Sequence, residues 1–99
     1  MFHYVYILNS QNHPERHYIG LTTNLRARLE KHNAGAVSHT SKFTPWLIES
    51  AVAFSDADKA HKFERYLKTG SGRAFACRHF SFFDSPRLQI RLHLPAPVR

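Results

Sequence analysis

Two aromatic and β-branched stretches constrain this chain more than anything else in it: His3-Tyr4-Val5-Tyr6-Ile7-Leu8 and His17-Tyr18-Ile19-Gly20-Leu21-Thr22. Between them runs Asn9 to Arg16, polar and carrying Pro14. Strand formers on either side of a polar, proline-bearing segment predict an antiparallel hairpin. After His3 the first stretch is apolar on both alternations, the pattern of a strand covered on two faces. Gly20 weakens the second strand unless something must approach it closely.

The rest of the chain supplies the cover. Thr23 or Asn24 is placed to cap a helix from Leu25 to about Asn33, with Gly35 closing it. Residues 36–45 read as loop. Trp46 to Phe54 reads as a third strand, with Trp46, Ile48 and Val52 as its strand formers. Ser55-Asp56-Ala57-Asp58 has the pattern that opens a second helix, running to about Thr69 and stopping at Gly70. A short helix from about Gly72 to His79 follows. This order predicts a small α+β domain, a three-stranded antiparallel sheet flanked by helices, over residues 1–83. Residues 84–99 are of a different kind. From Arg87 to Leu94 polar and apolar residues alternate strictly. That period predicts an extended C-terminal arm or strand, packed on its own domain or pairing residues 87–94 in a homodimer.

Composition narrows the function. With 99 residues the chain suits one small domain, and no apolar run approaches the roughly 20 residues of a membrane span. The single cysteine, Cys77, excludes a disulfide or a thiolate metal cluster within one chain. Met1-Phe2-His3-Tyr4 lacks the pattern of a signal peptide, so a cytoplasmic location is expected. Fourteen Lys and Arg stand against seven Asp and Glu. That surplus favours a polyanionic partner, nucleic acid before an acidic membrane surface. It is dense late in the chain, where Lys59, Lys62, Arg65, Lys68, Arg73 and Arg78 surround the lone acid Glu64.

Several polar residues sit where core is expected. At about 100° per residue, Glu64 shares a face of the second helix with Ala57, Ala60 and Leu67. A carboxylate there needs an ion pair, hydrogen bonds or a bound cation. On the first helix Arg28 lies beside the Leu25–Leu29 stripe, with His32 one turn further on the same side. Arg28 either covers the stripe with its stem or offers a guanidinium fork to a carboxylate or phosphate. A register with Tyr6 opposite Gly20 puts Tyr4, Tyr6, Tyr18 and Gly20 on one sheet face and leaves room beside Tyr6 for a ligand or another side chain.

Tyr4-Val5-Tyr6, then Tyr18-Ile19-Gly20, then the Arg28-x-x-x-His32 helix and the later Glu64 resemble the GIY-YIG nuclease superfamily over about residues 2–80. The likeness is to short stand-alone members similar to the N-terminal domain of the excinuclease. The resemblance implies a three-stranded antiparallel sheet with helices. It also implies an endonuclease that hydrolyses DNA phosphodiesters with one divalent metal, Mg²⁺ or Mn²⁺, in DNA repair or recombination. Tyr6, Tyr18, Arg28 and His32 match its catalytic positions, Glu64 its metal ligand, and Gly20 the glycine of its second tripeptide. Tyr4 stands where the first tripeptide has glycine, and no asparagine follows Asn33, although many members carry one after the metal-binding glutamate. A non-cleaving nucleic-acid-binding module with this fold is the alternative. In either case Lys42, Lys59, Lys62, Lys68, Arg73 and Arg78 are the candidates for contacting a phosphate backbone.

Overall fold

The computed structural model describes residues 1–80. The arm expected over 84–99, its alternating run and the dimer pairing through 87–94 lie outside the described residues, as do residues 81–83. The elements run β1 (His3–Ser10), β2 (His17–Thr22), α1 (Leu25–Asn33), a single 3-10 turn (Ser41–Phe43), β3 (Trp46–Phe54), α2 (Ala57–Leu67) and α3 (Gly70–Phe80). The sheet is antiparallel with order β2-β1-β3, so β1 is the central strand. No helix among the described residues is long and apolar enough to cross a membrane.

The double alternation of β1 is resolved by two helical layers. Val5 and Ile7 point into a core with Ile19, Ala60, Leu67 and Ala76, walled by Phe54, Phe63, Phe75 and Phe80. Tyr6 and Leu8 point the other way, into a core with Trp46 that Tyr18, Leu25, Leu29 and Phe43 cover. Thus α2 and α3 pack on one face of the sheet, and α1 with the 3-10 turn packs on the other.

Local chemistry sets the helix ends. Asn24 caps α1 through Oδ1, which accepts from the Ala27 N–H at 3.0 Å. Gly35, at φ 78°, turns the chain out beyond its last turn. Asp56, rather than Ser55, caps α2 by accepting from the Asp58 N–H. Gly70 does not act as the expected stop. It begins α3, because the Thr69 hydroxyl accepts from the Gly72 N–H at 3.1 Å and restarts the helix at once. Gly72 permits the sharp corner, since a Cβ there would collide with the Tyr66 carbonyl.

Candidate active site

β1 and β2 pair with Tyr6 opposite Gly20 and Leu8 opposite Tyr18, so the expected tyrosine face exists. Gly20 has a different use from the one the sequence suggested. The Tyr6 ring itself lies over it, and a Cβ at Gly20 would overlap the phenol oxygen and Cζ. No room is left there for a ligand. The glycine lets a tyrosine from the central strand reach across the edge strand while staying 2% exposed.

α1 delivers the next two groups. His32, one turn beyond Arg28, is 1% exposed, and its Nε2 lies 2.9 Å from the Tyr6 hydroxyl. The Tyr18 ring stands edge-on to the imidazole at 4.9 Å and 6.3 Å from the Tyr6 ring. On its other side His32 Nδ1 lies 2.8 Å from Thr40 Oγ1. Thr40, also 1% exposed, is held in turn: its carbonyl accepts from the Trp46 indole N–H at 2.9 Å. Trp46 is pinned by Asn33, whose side chain bonds its backbone N–H and its carbonyl.

Electrostatics tie in the remaining charges. Burial pushes the Tyr6 phenol up to about 12; Tyr18 adds to the rise, Arg28 opposes it and Glu64 adds to it. Burial also lowers the His32 pKa, and Arg28 lowers it further, so the imidazole is neutral at pH 7. Arg28 lines an open hollow of about 230 Å³ with Thr22, Asn24, Ala27 and Lys31. Two cations in one concavity suit an anionic ligand.

Glu64 is half-buried, and its Oε2 accepts from Lys68 Nζ at 2.6 Å. The lone acid on the core edge is therefore balanced by an ion pair one turn away, and it still acts on the Tyr6 phenol through space. Among the described residues no group of three or more His, Cys, Asp or Glu comes together. The chemistry of the donor set suits Mg²⁺ or Mn²⁺ through one hard carboxylate, that of Glu64.

Of the basic residues expected at a nucleic acid, Lys68 is engaged with Glu64. Lys59 and Lys62 stand roughly 140–160° around α2 from Glu64, on the opposite flank of the helix. Arg73 and Arg78 are exposed on α3, in the layer behind the sheet, away from the tyrosines. Lys42 is exposed on the 3-10 turn, whose Phe43 covers the Tyr6 core. Charge density along the sequence carries no information about flank. Two residues of the site were missed. Lys31 was findable, three residues after Arg28 and so on a neighbouring line of α1. Thr40 was not, because it lies in a loop without periodicity.

One family model, described as the GIY-YIG catalytic domain, matches residues 2–76. A structure-specific endonuclease subunit SLX1 homolog from Giardia intestinalis is 32% identical over 99 residues. That match covers 96% of this chain and 26% of the relative, so the chain spans a minor part of that protein's length. A UPF0213 protein from Staphylococcus haemolyticus is 36% identical over 70 residues, 70% of this chain and 83% of its own. The solution NMR structure of a UPF0213 protein from Bacillus halodurans superposes with a TM-score of 0.48 at 27% identity, covering 79% of this chain and 84% of that one.

Proposed function

The chain belongs to the GIY-YIG family of nuclease catalytic domains, and from that premise we propose that it is an endonuclease hydrolysing DNA phosphodiesters with the help of one Mg²⁺ or Mn²⁺ ion. The observation that carries the reading is the convergence of Tyr6, Tyr18 and His32 within the field of Arg28, which lines a hollow with Lys31.

A phosphodiester needs its charge offset, a water aligned on phosphorus and a route for that water's proton. Arg28, with its planar fork, holds the scissile phosphate and favours the extra charge of the transition state. Lys31 holds a neighbouring phosphate of the same strand in the hollow. The Tyr6 hydroxyl orients the water. With its pKa near 12 the phenol keeps its own proton throughout the neutral range, so it serves only if it passes that proton on as it takes another. Tyr18 packs against His32 and keeps the imidazole and phenol in contact. Glu64 would hold the cation, which when bound would supply Lewis-acid stabilisation of the charge that builds up in the transition state.

The Glu64–Lys68 pair also favours a second reading, a domain that binds nucleic acid without cutting it, since the carboxylate already has a counterion. Nicking of supercoiled plasmid in Mg²⁺ or Mn²⁺ separates the two. Wild type nicks the plasmid, whereas Glu64→Gln keeps its fold and its DNA binding and loses cleavage. Binding without cleavage by wild type in either metal would establish the second reading. Equal cleavage by wild type and Glu64→Gln would remove Glu64 from the metal site.

A further inference from the structure

We propose that Thr40 is a positioning residue of this site: it fixes His32 as the tautomer whose Nε2 lone pair faces the Tyr6 hydroxyl, and so makes the imidazole the acceptor of the phenol's proton. The catalytic half of this inference rests on the nuclease reading above; the tautomer half does not.

The assignment comes from counting donors in a closed space. Thr40 Oγ1 has two neighbours, His32 Nδ1 at 2.8 Å and the Val37 carbonyl at 3.3 Å. A carbonyl only accepts, so the arrangement that uses both neighbours sends the single hydroxyl proton of Thr40 to Val37. Thr40 Oγ1 then accepts, and His32 Nδ1 carries the hydrogen. Nε2 is left with its lone pair, 2.9 Å from the Tyr6 hydroxyl, which donates to it. Three hydrogen bonds form. The opposite tautomer forms two: the Thr40 proton is diverted from Val37 to Nδ1, and the Tyr6 hydroxyl accepts from Nε2 with its own proton turned away from the ring. With His32 and Thr40 both 1% exposed, a hydrogen bond lost between them is not replaced by solvent.

The surroundings keep the ring neutral in the resting state, with a lone pair available. The groups facing the pair are Tyr18 from β2, Arg28 from α1 and Glu64 from α2. Burial and Arg28 both oppose protonation of His32 in the resting state. During hydrolysis the water oxygen forms its bond to phosphorus while one water proton moves to Tyr6 Oη. The proton already on Tyr6 moves to His32 Nε2, giving an imidazolium whose Nδ1–H remains bonded to Thr40. The bond between phosphorus and the leaving oxygen breaks, and that oxygen keeps the electron pair and takes a proton from solvent. The imidazolium then loses its extra proton to solvent. The Trp46 indole bond to the Thr40 carbonyl keeps the hydroxyl at the distance this needs.

The test uses ¹⁵N NMR of the His32 ring at pH 7.5 beside plasmid cleavage. Wild type is expected to show a protonated Nδ1 and an unprotonated Nε2. Thr40→Val matches the shape but accepts no hydrogen bond, and should shift the ring towards protonated Nε2. Its kcat should fall by on the order of a hundredfold, within the range that positioned acid–base groups supply, with KM for DNA unchanged. Thr40→Ser should restore both the tautomer and most of kcat. Wild-type His32 protonated on Nε2 overturns the proposal with no variant needed, even if Thr40→Val fails to fold. So does Thr40→Val that keeps the wild-type tautomer, or that changes tautomer and cleaves at the wild-type rate. Absence of cleavage by wild type, with the Nδ1–H tautomer present, defeats the nuclease reading and leaves the hydrogen-bond assignment standing.

Discussion

Replacing Gly20 by alanine tests the packing on which the whole site depends. The added Cβ would overlap the Tyr6 phenol oxygen and Cζ, and the phenol has nowhere to retreat, with His32 2.9 Å away and the Tyr18 ring alongside. Forcing a methyl into packed space costs roughly 1–3 kcal/mol. Breaking the bond to His32 adds about 1 kcal/mol. Alanine returns roughly 0.5–1 kcal/mol through its smaller loss of backbone freedom. The net loss is then about 1–3 kcal/mol. For a domain of this size that lowers Tm by roughly 5–20 °C. Urea denaturation followed by far-UV circular dichroism measures it directly, with an unchanged m-value as the check on two-state behaviour. The origin of the loss is read from a cycle with Tyr6→Leu, which removes the end of the ring. The double variant should cost less than the sum of the singles, since the clash needs both partners. Gly20→Ala as stable as wild type, or strictly additive with Tyr6→Leu, would refute the placement of the phenol over the edge strand.

Two further outcomes follow from the electrostatics. The folded-state pKa of His32 lies below its ordinary 6.5, so the unfolded chain takes up the proton first; stability is full above about pH 6.5 and falls as the pH drops below it. Tyr6 has the opposite sign. Its phenol is raised from 10.0 to about 12, so its contribution is present below pH 10 and lost between there and pH 12. Urea midpoints at intervals across both windows check this, and in His32→Gln a slope in the acid window as steep as in wild type would rule out His32 as its source. For nucleic acid, fluorescence anisotropy on a short DNA duplex at several salt concentrations separates the two flanks of the molecule. Lys31→Glu should lower the slope of log affinity against log salt by about one, while Lys62→Glu should leave it unchanged. Equal effects of the two would show that the hollow beside Arg28 does not direct binding.

What the sequence made legible was what repeats. The Tyr6–Gly20 register follows from period two in two neighbouring strands, and Glu64 stands out because helix periodicity puts it beside Ala60 and Leu67. What escaped has no period. Thr40 enters the site from a loop, through one hydroxyl, and its place is set by Trp46 and Val37. The work of Gly20 was misread for a related reason. Register shows which residues face each other, and only rotamers show that the Tyr6 ring fills the gap. The partner of Glu64 was within reach, since Lys68 is four residues on along the same helix face.

The two edges of the sheet are unlike in what they tolerate. β2 borders the tyrosines, and the hollow of Arg28 and Lys31 opens from the turn that follows it. A polypeptide laid along β2 would therefore wall off the concavity. β3 is nine residues long, forms the opposite edge and leaves Leu47 and Ile48 exposed. A strand added there beyond Trp46, whose backbone Asn33 already holds, lengthens the sheet on the side away from the hollow. In longer proteins carrying this domain, a neighbouring part that docks at β3 acts as a tether, and one that docks at β2 acts as a gate. Which edge it takes decides whether accessory sequence controls the site or merely carries it.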